Sequence, residues 1–142
     1  MSFLDASVIV AILNEEPGFE ELEKRLSDRG GPIHVSPLVR FEAVSALVRL
    51  RIIATKGRVN REELIAEARQ LVDGFVQALG ARDIAIDTRI GASALDAMAR
   101  YGKVAGHPAG LNFGDCFAYA SAKAHQLSLI YKGDDFAQTD MA

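Results

Sequence analysis

Apolar positions along this chain follow two rhythms. Short runs at Ser2–Leu4, Ile33–Val35, Ile84-Ala85-Ile86 and Leu129-Ile130-Tyr131 are bounded by turn or capping residues and predict strands. Between them, apolar residues recur at three- and four-residue steps. Ala6–Leu13 continues without a breaker until Pro17, and Phe19, Leu22 and Leu26 predict a helix from Gly18 to Arg29, stopped by Gly30-Gly31-Pro32. Ser36-Pro37 pairs a capping serine with proline at the first helical position, opening a helix that reaches about Ala54. Asn60 caps a long amphipathic stretch carrying Leu64, Ala68, Leu71, Val72, Phe75, Val76 and Leu79, which ends at Gly80. Asp87 or Thr88 opens the next helix, up to Tyr101-Gly102, and Asn112 opens another through His125.

The predicted order is β-α-α-β-α-α-β-α-α-β. Strands separated by helical crossovers run parallel, with right-handed connections that put helices on both faces. The expected fold is therefore a three-layer α/β/α domain spanning 1–142, around a short parallel sheet of about four strands. The helix after Ser36-Pro37 is apolar on more than one side: Phe41, Val44, Val48 and Ile52 lie on one, and Leu47, Leu50 and Ile53 on another. Such a helix needs a second burial partner, which points to a subunit interface along Ser36–Leu79.

Composition narrows the setting. At 49% hydrophobic and 25% charged the chain reads as a globular domain, and no apolar run approaches the ~20 residues that cross a bilayer. Met1 leads directly into a strand with neither a basic region nor a cleavage site, so no signal peptide is expected. The single cysteine, Cys116, suits a reducing compartment, and the expectation is a cytoplasmic protein. A net charge of −3 does not advertise nucleic-acid binding, yet residues 40–61 hold six basic residues against Glu42 alone. A basic stripe of this kind suits a polyphosphate, although solvated helix faces account for it as well.

Four acids occupy the positions where parallel α/β proteins bind ligands. Asp5 and Asp134 each follow an apolar run, while Glu42 and Asp115 fall in the opening turns of helices. Strand C-termini and helix N-termini share one sheet edge, so these carboxylates are expected to meet there. Each has a structural reading too: Asp5 and Asp115 as helix-start residues, Glu42 as a surface acid, Asp134 as a turn residue. Together they form an oxygen-rich set suited to Mg²⁺ or Mn²⁺. Asp5 and Asp115 are the expected direct ligands, with Ser7 holding Asp5 in place and Arg40 as the phosphate contact.

These residues resemble a family. Asp5, Glu42 after Ser36-Pro37, the stretch Leu111-Asn112-Phe113-Gly114-Asp115-Cys116, and Lys132-Gly133-Asp134-Asp135-Phe136 look like the PIN-domain ribonucleases, and more narrowly the VapC-type toxins. The resemblance covers essentially the whole chain. It implies Mg²⁺-dependent endonucleolytic cleavage of structured RNA such as tRNA or rRNA, a homodimer, and neutralisation by a cognate VapB-type antitoxin. It also implies that Asp5, Glu42 and Asp115 are three of four catalytic acids. Many relatives place the fourth directly after the last strand, where this chain has Lys132-Gly133, so Asp134 is the nearest match and Asp135 stays open.

Two other classes compete. An aspartyl-phosphate phosphotransferase also uses an acid after the first strand, but with a second Asp two residues on, where this chain has Ser7. A non-catalytic PIN-like module binding RNA or a partner would have no reason to keep mutually repelling carboxylates.

Overall fold

A computed structural model describes all residues, 1–142. Its elements follow the predicted order: β1 (Ser2–Leu4), α1 (Ala6–Leu13), α2 (Phe19–Asp28), β2 (Ile33–Val35), α3 (Pro37–Ala54), α4 (Arg61–Ala78), β3 (Arg82–Asp83), α5 (Thr88–Tyr101), α6 (Phe113–Ala124) and β4 (Ser128–Ile130). The strands form one sheet in the order β3-β2-β1-β4, and every pairing is parallel. The helices cover both faces, giving the expected three layers.

The strand order explains where a site can form. From β1 the chain builds outward through β2 to β3, then crosses back to lay β4 on the other side of β1. The gap beyond the C-terminal ends of β1 and β4 is thus the switch point at which open parallel sheets bind ligands. Register across it is continuous, with Leu4 opposite Ile130 and the Asp5 N–H donating to the Ile130 carbonyl at 2.9 Å.

Local chemistry fixes the helix starts. Ser36 Oγ accepts the Val39 N–H ahead of Pro37, Asn60 Oδ1 accepts that of Glu63, and Asp87 Oδ1 accepts that of Ile90. Each cap satisfies a donor that the helix leaves unpaired. The core runs through the sheet, with Phe3, Leu4, Val35 and Ile130 from the strands meeting Val8, Ile9, Val39, Val72, Val76 and Ile90 from the helices. Phe136, fully buried, fastens the segment after β4 by stacking edge-on against Tyr131.

Two strand boundaries differ from those read in the apolar pattern. β3 pairs at Arg82–Asp83 rather than Ile84–Ile86, although the Ile84 N–H still donates to the Val35 carbonyl at 2.7 Å. As an edge strand it needs partners on one side only, so polar residues carry the pairing while Ile84 turns inward. β4 begins one residue early, at Ser128. Along α3 and α4, Ile53 and Leu71 remain exposed, as the excess of apolar residues led us to expect. No helix is long and apolar enough to cross a membrane.

Candidate active site

Asp5 is the N-cap of α1. Its Oδ2 accepts the Ser7 N–H at 3.0 Å, so the carboxylate that caps α1 is also the candidate site group. The residue is buried, and burial is the main reason its pKa is raised, with Ser7 hydrogen bonding opposing the shift. Ser7 Oγ in turn accepts the Lys132 N–H at 3.0 Å. One serine thereby ties the Asp5 turn to the segment leaving β4.

Asp115 reaches the site through a reciprocal cap. Asn112 Oδ1 accepts the Asp115 N–H at 2.9 Å, and Asp115 Oδ2 accepts the Asn112 N–H at 3.1 Å. This capping box locks the carboxylate over the first turn of α6. Burial first, then the negative charges of Asp5 and Asp135, push Asp115 up to about 6 against that hydrogen bond.

Glu42 comes from the second turn of α3. Burial, then Asp5, then Asp115 push it up to about 7. Its Oε1 is buried without a hydrogen-bond partner, and a buried acceptor left unpaired is costly. Asp5, Glu42 and Asp115 therefore share one electrostatic environment.

Asp134 does not join them in that way. Asp134 and Asp135 are both exposed in the turn after β4, and it is the charge of Asp135 that reaches Asp5 and Asp115. Of the two aspartates that the sequence leaves open for the fourth position, Asp135 is the one whose charge bears on the buried acids.

Arg40 also lies elsewhere. Its Nε and Nη2 bind both oxygens of Asp83 at 2.9 and 2.8 Å, and its Nη1 binds Asp73 at 3.0 Å. It clamps α3 to α4 and to the edge strand, so its donors are engaged away from Glu42. Two other cations line the cleft of about 560 Å³ that contains Ser7 and Glu42, namely Arg49 and Lys132. Lys132 Nζ pairs with Glu16 at 2.6 Å, while Arg49 has no carboxylate partner. Phe41 and Phe113 border the same cleft, 73% and 70% exposed, as aromatic faces turned to solvent. Arg49 was discoverable from sequence, since it stands two helical turns after Glu42 and so shares its face. Phe113 gave no such signal.

Can these residues hold a divalent cation? The donor set is entirely carboxylate oxygen, three members repel one another, and Glu42 Oε1 waits for a partner. That chemistry fits a hard cation. No group of three His, Cys, Asp or Glu side chains is arranged to hold an ion by itself.

A buried acidic centre at the switch point of a small parallel sheet defines the class, and comparison agrees. The PIN domain family matches residues 2–141. A VapC ribonuclease of Rhizobium meliloti (strain 1021) is 73% identical, over 99% of both chains. Among solved structures, Mycobacterium tuberculosis VapC20, described as a sarcin-ricin-loop-cleaving toxin, superposes with a TM-score of 0.72 at 14% identity, covering 96% of this chain and 93% of that one. A toxin–antitoxin complex from Klebsiella pneumoniae gives 0.67 at 17% identity, with 99% and 94% covered. At such identities these two structures speak to the fold. The chain belongs to the PIN-domain family, among the VapC ribonucleases.

Proposed function

We propose that this chain is a Mg²⁺-dependent endoribonuclease, able to use Mn²⁺, that cleaves structured RNA such as tRNA or rRNA as the toxin of a VapBC-type pair. Its partners in this reading are a cognate VapB-type antitoxin and a second copy of itself, in the cytoplasm. The observation that carries the reading is the meeting of Asp5, Glu42 and Asp115 at the β1/β4 switch point, each held above its ordinary pKa by burial and by its neighbours. Proteins seldom bury such a cluster without a cation to neutralise it.

Asp5 and Asp115 would hold the ion, their orientations set by Ser7 and by the Asn112 cap. When bound, the metal supplies charge neutralisation at the phosphoryl oxygens and an activated water. Glu42 and Asp135 accept hydrogen bonds from water on the open side and orient it toward the phosphorus. Arg49, unpaired at the cleft, takes the phosphate next to the scissile one. Phe113 and Phe41 offer flat faces to unstacked bases, a contact that RNA loops allow and duplexes do not.

Purified protein freed of antitoxin, incubated with total RNA and Mg²⁺, tests this directly. Discrete fragments are expected, absent with EDTA and absent for Asp5→Asn. Persistent fragments in both controls would point to a contaminating nuclease, and no fragments from folded wild type would sink the catalytic reading.

A further inference from the structure

Gly114 stands in the first turn of α6, between the exposed Phe113 and the carboxylate of Asp115. Nothing in its backbone requires glycine, because it does not adopt the left-handed conformation that favours that residue. Alanine is the better helix former. Space explains the choice. A Cβ at this position would overlap the Glu42 carboxylate, whose Oε2, Cδ and Oε1 are its three nearest atoms; even the farthest, Oε1, would lie 2.6 Å away. Comfortable packing needs about 3.5 Å. All three of these nearest clashes are with the end of one flexible side chain, which can move where a backbone could not.

We propose that Gly114 is a positioning residue, whose missing side chain lets Glu42 rest against the first turn of α6 beside Asp115. Glu42 arrives from α3 and Asp115 from α6, and the two helices can share one carboxylate centre only while the space over Gly114 stays open. With a methyl group there, Glu42 swings outward, its buried oxygen returns to solvent, and the three-acid constellation becomes two. The inference rests on the carboxylate-site reading above.

The test compares wild type, Gly114→Ala, Glu42→Asp and the double variant, by RNA cleavage with Mg²⁺, thermal melting without metal, and crystal structures of wild type and Gly114→Ala. Gly114→Ala is expected to melt no lower than wild type while cleaving about 100-fold more slowly, the loss typical of a misplaced catalytic group. In the double variant the shorter aspartate side chain that replaces Glu42 clears the methyl group, so that variant should recover about tenfold over Gly114→Ala. Wild-type cleavage by Gly114→Ala, or a double variant no faster than it, overturns the proposal. If Gly114→Ala fails to fold, a folded double variant supports the assignment, and a double variant that also fails overturns it. Should wild type prove inactive on RNA, the ribonuclease reading fails separately. The crystal structure still decides: Glu42 displaced from α6 supports the role of Gly114, and Glu42 in its wild-type place overturns it.

Discussion

At the scale of the residue, the acids do two jobs at once. Asp5 caps α1 and Asp115 closes the capping box of α6, and in the proposed reading the same carboxylates meet the metal. Their raised pKa values have a consequence for stability. An acid whose pKa is higher in the folded state binds its proton more tightly there, so it favours folding below its unfolded pKa and loses that contribution as pH rises through the folded value. Glu42 at about 7 and Asp115 at about 6 place the loss between the ordinary carboxylate range and pH 7. Metal-free protein should therefore be less stable at pH 8 than at pH 5, by about 2 kcal/mol after allowance for solvent screening. Mg²⁺ at pH 8 should restore most of it, since a ligand that binds only the folded state stabilises that state. Urea titrations at the two pH values, with and without Mg²⁺, measure both effects; equal midpoints would contradict the raised values. Asp5, Glu42 and Asp115 were legible in the sequence because each sits beside a strand end or a capping signal. Asp135 was legible only as an alternative to Asp134, because two adjacent acids in one turn carry the same sequence signal.

At the scale of the element, arginines on one helix divide their labour. Arg40 and Arg49 both belong to the basic stretch of α3, and composition treats them alike. Nine residues is two and a half turns, so they project to opposite sides. Arg40 meets Asp73 of α4 and Asp83 of β3, whereas Arg49 opens onto the cleft. Replacing Arg40 by Ala should cost about 1 kcal/mol in urea unfolding, as for a small exposed network, and leave RNA cleavage unchanged. Arg49→Ala should do the reverse, raising KM with little effect on the unfolding midpoint. A loss of cleavage in Arg40→Ala without a loss of stability would return it to the substrate side. The same logic explains why β3 was misplaced by two residues. Its apolar signal, Ile84 to Ile86, marks where the chain turns into the core, while an edge strand pairs through whichever backbone lies alongside β2.

At the scale of the whole molecule, the order of elements was legible throughout because each helix start carries its own capping residue and each strand is short and apolar. The proposed assembly rests on a surplus of apolar surface. Ile53, 81% exposed, and Leu71, 51% exposed, stand on α3 and α4 with no intramolecular cover. A dimer through these helices predicts a sedimentation mass twice that of the chain at micromolar concentration, and Ile53→Asp should shift it toward monomer with the melting temperature little changed. A wild-type monomer under those conditions would remove the proposed interface. The sheet order carries a further consequence, one of timing. Because β4 lies beside β1, the first strand made waits for the last before its open side is paired, and Asp5 waits for Asp115 and Asp135. On the ribonuclease reading, a chain still being synthesised would lack an assembled acidic centre: a version ended before Ser128 should show neither cooperative unfolding nor cleavage. The open side of β1 closes only when the last strand is free to reach it.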